Sequence, residues 1–95
     1  MVVGVLRLEL FLQTPQNIKE KRAIVRKLLG RCRARFPVSA AEVDHQGLWQ
    51  RTTLGFAMVE QTEKGIAPCF LKIEEEILRS GLVEITARDQ EFLHY

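Results

Sequence analysis

Residues 43–51 read VDHQGLWQR and gather most of the side chains here that could do chemistry: an Asp beside a His, the only Trp, and an Arg two residues beyond it. An adjacent Asp–His suggests general acid–base work. In an extended strand, however, successive side chains point to opposite faces, so Asp44 does not orient the His45 imidazole. No Ser or Cys nucleophile lies nearby in sequence. A metal site would draw on Glu42 and Asp44, which strand periodicity places on one face, but His45 falls on the other and His94 sits in the tail. Trp49 suits stacking on a base or anchoring an interface. Its structural alternative is a lid over the end of the core with the indole N–H bonded to backbone. Arg51 either extends a basic patch or pairs with Asp44 across the hairpin. On these grounds no catalytic residue, metal or cofactor is expected.

The second concentration of chemistry is cationic. Residues 17–35 carry eight Lys and Arg against Glu20 alone, so this segment holds seven excess positive charges and the rest of a chain of net charge +2 sums to −5. At 100° per residue, Lys19, Arg22, Arg26 and Arg33 form a stripe along one edge of a helix, and Lys27, Arg31 and Arg35 cover its back. A rigid row of cations neutralises several phosphates at once and releases counterions, and Arg favours bidentate phosphate contact. The structural alternative is a solvated helix face. That alternative leaves like charges at i,i+4 without a partner.

A third stretch, LGFAMVE at 54–60, echoes part of the RNP1 pattern of RNA-recognition domains through Gly55, Phe56, Ala57 and Val59. The leading basic residue and the later aromatics are missing, and Met58 stands where the second aromatic belongs. Core packing is therefore the better reading of Phe56.

These residues need elements to hold them. Val2–Gln13 alternates, with Val2, Leu6, Leu8, Leu10 and Leu12 on one face and Val5, Arg7, Glu9 and Phe11 on the other. After the TPQN turn, Asn17 caps a helix with Glu20 three residues on, and Ile18, Val25, Leu28, Leu29, Cys32 and Phe36 form its apolar side. Pro37 stops it. Residues 38–45 alternate again, Gly47 supplies a turn, and Thr52–Gln61 suits a central strand. Pro68 opens a second helix with Ile66, Phe70, Ile73 and Ile77 inward and Glu74, Glu75 and Glu76 as an acidic exterior. Gly81 ends it. Leu82–Arg88 is a last strand, and the tail from Asp89 is unassigned. The order βαββαβ predicts one α+β, ferredoxin-like sandwich over residues 1–95: a four-stranded antiparallel sheet, strands one and three central, both helices on one face. The other face stays open and carries Val5 and Phe11, which fits a homodimer or another partner.

Composition agrees with a globular domain: 46% hydrophobic and 27% charged residues. No stretch is apolar for the roughly 20 residues that span a bilayer, and the start lacks a basic region before its apolar run. A cytoplasmic protein with no membrane contact is expected. Cys32 and Cys69 are too few for a disulfide scaffold. Each falls on an apolar helix face as small core filler, and a bridge would require the two helices to pack side by side.

VVGVLRLELFL, NIKEKRAIVRKL and AEVDHQGLWQRTTLG, in this order and spacing, resemble the YlxP-like family of small bacterial proteins of unknown function over nearly the whole chain. The Lys-Glu-Lys-Arg start of the first helix and the Leu-Trp-Gln-Arg of the hairpin are the most specific parts. Asn17 replaces the Ser expected at the cap, which is harmless because both cap well. Gly47 stands where Asp is expected, so no acidic role carries over there. The resemblance implies a ferredoxin-like fold and no known catalytic residues. It also implies genes that neighbour those of translation and ribosome maturation factors. The expectation is a non-enzymatic module that binds RNA or a ribosomal subunit through Lys19, Arg22, Arg26 and Arg33, with His45, Trp49 and Arg51 adding contacts. The alternatives are a homodimeric or protein-interaction module using the open sheet face, and a small metal-dependent enzyme on Glu42, Asp44 and His45.

Overall fold

A computed structural model describes residues 1–95. The order is β1 (Val2–Leu12), α1 (Ile18–Arg35), β2 (Ser39–Asp44), β3 (Arg51–Glu60), a 3₁₀ turn (Glu63–Gly65), α2 (Ala67–Arg79) and β4 (Val83–His94). The strands form one antiparallel sheet in the order β2-β3-β1-β4. This is the ferredoxin-like arrangement expected from the alternation. The even-numbered residues of β1 from Val2 to Leu12 face the helices and are buried, while Val3, Val5, Arg7, Glu9 and Phe11 face the open side. Sixteen buried apolar side chains make one cluster between sheet and helices. Each fully buried Leu, Ile or Phe contributes roughly 2 kcal/mol by leaving water.

Local chemistry sets the element ends. Asn17 Oδ1 accepts from the Glu20 N–H at 2.9 Å, which satisfies one of the free donors at the start of α1. Glu20 turns back to the Gln16 N–H at 2.8 Å, one residue before the cap, so the reciprocal bond is offset from the usual capping box. Pro68 lies in the first turn of α2. After α2, Gly81 adopts φ +70°, a left-handed conformation that glycine enters without a Cβ penalty. In the middle of the sheet, Gly4 is pressed against Ile66 and Phe70: a Cβ there would collide with Ile66 Cγ2. That close approach lets α2 sit low on β1.

The structure assigns the tail that the sequence left open and corrects one expectation. The tail from Asp89 is not a separate segment; β4 runs through it to His94, pairing with β1 from Val2 to Leu12. The backbone of Met1 and Tyr95 closes this ladder, with the Met1 amine donating to the Tyr95 carbonyl at 3.1 Å and the Tyr95 N–H to the Met1 carbonyl at 2.9 Å. A bulge at Thr86 separates the two halves of β4, and the Thr86 hydroxyl bonds the Glu9 carbonyl. Glu76 is not part of an acidic exterior. It is buried between the helices and receives Arg35 at 2.7 Å, because its position on α2 faces α1 rather than solvent.

Candidate nucleic-acid interface

The eight cations of α1 divide into three groups. Lys21 points into the core. Arg33 donates to the Ala40 carbonyl of the edge strand β2, and Arg35 pairs with Glu76. Lys19, Arg22, Arg26, Lys27 and Arg31 are exposed and make no ion pair or side-chain hydrogen bond within the chain. Lys19, Arg22 and Arg26 follow one another at i,i+3 and i,i+4, so they are neighbours on one face over about 10 Å of axis. Arg33 lies a further seven residues along, about 10 Å away, and some of its donor capacity is spent on β2. The expected stripe is thus a continuous row of three with a tethered fourth member.

Lys21 is the functional-looking residue that the sequence reading passed over. Its side chain has no solvent exposure, and its Nζ donates to Glu42 Oε2 at 2.6 Å, the His45 carbonyl at 2.8 Å and the Gln46 carbonyl at 3.3 Å. All three ammonium donors are used. Thr52 Oγ1 donates to the same carboxylate oxygen at 2.5 Å. A signal was present: Lys21 is four residues before Val25 and seven before Leu28, on the apolar face, and Glu42 lies on the inward face of β2. The pair ties the start of α1 to residues 45–46 of the β2–β3 hairpin.

The hairpin departs from a regular strand. β2 pairs Glu42 with Leu54 but Asp44 with Thr53, which makes Val43 the extra residue of a bulge. Glu42 and Asp44 therefore do not share a face, contrary to the periodic reading. Glu42 faces the helix, whereas Asp44 faces the open side, where it meets Arg7 at 3.5 Å. This also removes the suggested Arg51–Asp44 pair; Arg51 makes no ion pair. Glu42 faces the helix while Asp44 and the His45 ring lie on the open side, and no three potential ligands converge on one point.

His45 sits at φ +62°, a conformation that is uncommon for a residue with a Cβ. It is held there from three sides. Its N–H donates to Asp44 Oδ1 at 2.7 Å, its carbonyl receives Lys21, and its Nδ1 shares a 2.9 Å hydrogen bond with Thr53 Oγ1. The Leu48 N–H returns to the His45 carbonyl at 3.1 Å and closes the turn. Trp49 is 41% exposed. It borders a shallow hollow with Phe11, Leu48, Gln50 and Arg51, and its indole N–H makes no hydrogen bond within the chain, so the lid reading with a backbone acceptor is not the arrangement found. The Leu12 N–H to Gln50 carbonyl bond at 2.8 Å fixes this hollow at the end of β1.

The expected site residues fall in two places. Lys19, Arg22 and Arg26 line the outer side of α1, with Arg33 at its far end. Trp49 and Arg51 lie with Phe11 at the open-face end of the hairpin, and His45 lies between the two groups over Thr53. Phe56 is buried in the core and offers no base-stacking surface. Cys32 is buried and Cys69 partly so, both with free thiols. Burial, then the nearby carboxylate of Glu76 and the Cys69 thiol, push the Cys32 thiol up to about 11, which keeps it protonated and unreactive at neutral pH.

A family model described as "Protein of unknown function (DUF503)" matches residues 3–90. The "Uncharacterized protein YlxP" of Bacillus subtilis (strain 168) is 34% identical over 89 residues, covering 83% of this chain and 97% of that protein. Among solved structures, a de novo designed protein with a ferredoxin fold superposes with a TM-score of 0.63 at 12% identity, covering 100% of this chain and 88% of the other. The structural-genomics protein YJCS superposes at 0.59 and 11% identity, covering 97% and 99%. At such identities the structures speak for the fold alone. The expected YlxP-like resemblance and ferredoxin-like fold are both borne out.

Proposed function

For a chain that belongs to the DUF503 family of proteins of unknown function, we propose a non-enzymatic module that binds structured RNA, on a ribosomal subunit or its precursor, through the outer side of α1. One observation carries this reading: five exposed cations of a single helix have no partner in the chain, on a molecule whose remaining charge is negative. Like charges this close repel unless an anion neutralises them, and a phosphate backbone does so with release of counterions. The buried Lys21–Glu42 pair supports the reading because it fixes the helix start against the hairpin at His45 and Gln46, so a partner on α1 meets the turn at His45 first, whereas Trp49 and Arg51 belong to the open-face end. Binding of this kind positions RNA more than it specifies sequence.

Co-sedimentation with ribosomal subunits across a salt series tests it. Wild-type binding should weaken steeply with salt, and the slope of log affinity against log salt should be shallower by about two units in Arg22→Ala/Arg26→Ala. Arg22→Glu/Arg26→Glu should abolish binding while its circular dichroism spectrum stays native. Undiminished affinity in that variant rejects the proposal.

A second reading rests on the open sheet face. Val43 and Val59 are 50% and 60% exposed there, and Val5, Ala41, Gly55 and Ala57 join Val43 around an apolar hollow. A homodimer through this face would cover them. Sedimentation equilibrium decides: a strict monomer at high concentration removes this reading.

A further inference from the structure

A groove between the helices shares only Arg31 with the five exposed cations of α1 and does not include Lys19, Arg22 or Arg26. It consists of two adjoining open hollows that share Arg35, Glu76 and Arg79: one of about 400 Å³ is completed by Lys72 and Glu75 of α2, the other of about 380 Å³ by Arg31 of α1. Glu76 organises it. A single oxygen, Oε2, lies 2.7 Å from Arg35 Nη1 and 3.6 Å from Arg79 Nη1, so one nearly buried carboxylate draws a guanidinium from each helix to the same point. The two arginine side chains remain 57% and 68% exposed, which leaves most of their N–H donors free. Arg31 and Lys72 add two cations that have no partner in the chain. Joining two helices takes one Arg on Glu76. Across the two hollows four cations stand against two carboxylates, an excess of two positive charges that balances a phosphomonoester dianion.

We propose that this interhelical groove is a phosphate-binding site for a phosphomonoester, with Arg35 and Arg79 as a preorganised fork and Arg31 and Lys72 as flanking charges. Paired guanidinium groups match phosphate oxygens in geometry and charge, and Glu76 keeps them together before the ligand arrives. The site does not depend on the row of Lys19, Arg22 and Arg26, so either can fail alone.

The test follows the arginine Nε–Hε resonances of the full chain by NMR at constant ionic strength. The probes are inorganic phosphate, uridine 5′-monophosphate, and one RNA oligonucleotide with a 5′-phosphate or a 5′-hydroxyl. The Arg35 and Arg79 signals should shift and saturate with inorganic phosphate and the monophosphate. Arg79→Ala and Lys72→Ala should each weaken the monophosphate by about tenfold, the effect of losing one charge-assisted contact. Arg22→Glu/Arg26→Glu should leave it unchanged. Selective saturation by the 5′-phosphorylated RNA assigns the ligand to an RNA end; indifference to that phosphate, with monophosphate saturation retained, assigns it to a small phosphoester. Shifts that stay linear with added phosphate, or equal affinity in wild type, Arg79→Ala and Lys72→Ala, overturn the proposal. Lys72 is exposed on α2, so its variant remains informative if Arg79→Ala fails to fold.

Discussion

At the scale of single residues, an ammonium group without solvent contact dominates the chemistry of the interior. Lys21 keeps its charge out of water only because Glu42 and two carbonyls receive it, so removing one partner leaves the other uncompensated. Lys21→Ala is expected to cost about 3–5 kcal/mol in urea denaturation, while Lys21→Met combined with Glu42→Leu should recover most of that loss. A cost below about 1 kcal/mol for the single change would mean that the pair is not desolvated as described. This pair was written in the sequence by two coincidences, a Lys on an apolar helix face and a Glu on an inward strand face. Neither is conspicuous alone, because charged residues at such positions usually reach solvent with a long stem. The positive φ of His45 left no such trace; it follows from a tertiary contact that captures its carbonyl.

The elements themselves were easier to read. Strand alternation from Val2 to Leu12, the Asn17 cap, Pro68 and Gly81 each act locally, so sequence alone places them. Two element-scale features escaped. The bulge at Val43 swaps the face of Asp44 without changing residue type, and polar/apolar alternation cannot register an inserted residue in so short and exposed a strand. The extension of β4 escaped because DQEFLHY alternates weakly, and pairing with a full-length β1 makes a strand of it. Contact between elements also fixes a stability prediction. Gly4→Ala puts a methyl group against Ile66, the residue that caps α2. Overpacking of this kind costs about 1–3 kcal/mol, enough to lower the thermal midpoint by roughly 5–15 °C. An unchanged midpoint would mean that α2 rides higher on the sheet.

At the scale of the molecule, the βαββαβ order was legible because short connections and handedness leave few ways to close such a chain. The functional surfaces were only half legible: charge totals revealed that α1 is cationic, but not that Lys21, Arg33 and Arg35 are already engaged. The two candidate surfaces lie on separate sides, α1 above the sheet and the apolar hollow below it. Val43→Lys/Val59→Lys should therefore leave RNA affinity intact while abolishing any self-association seen by sedimentation, and Arg22→Glu/Arg26→Glu should do the reverse. Loss of both properties in either variant would place them on one surface. A mechanical consequence follows from the paired ends of the chain. Met1 and Tyr95 sit together at one pole, on neighbouring antiparallel strands. Tension applied between them opens the β1–β4 ladder from that pole one hydrogen bond at a time, like a zipper, instead of loading the whole row in shear. The fold is thus soft against a pull on its two ends, however stable it is against heat or denaturant.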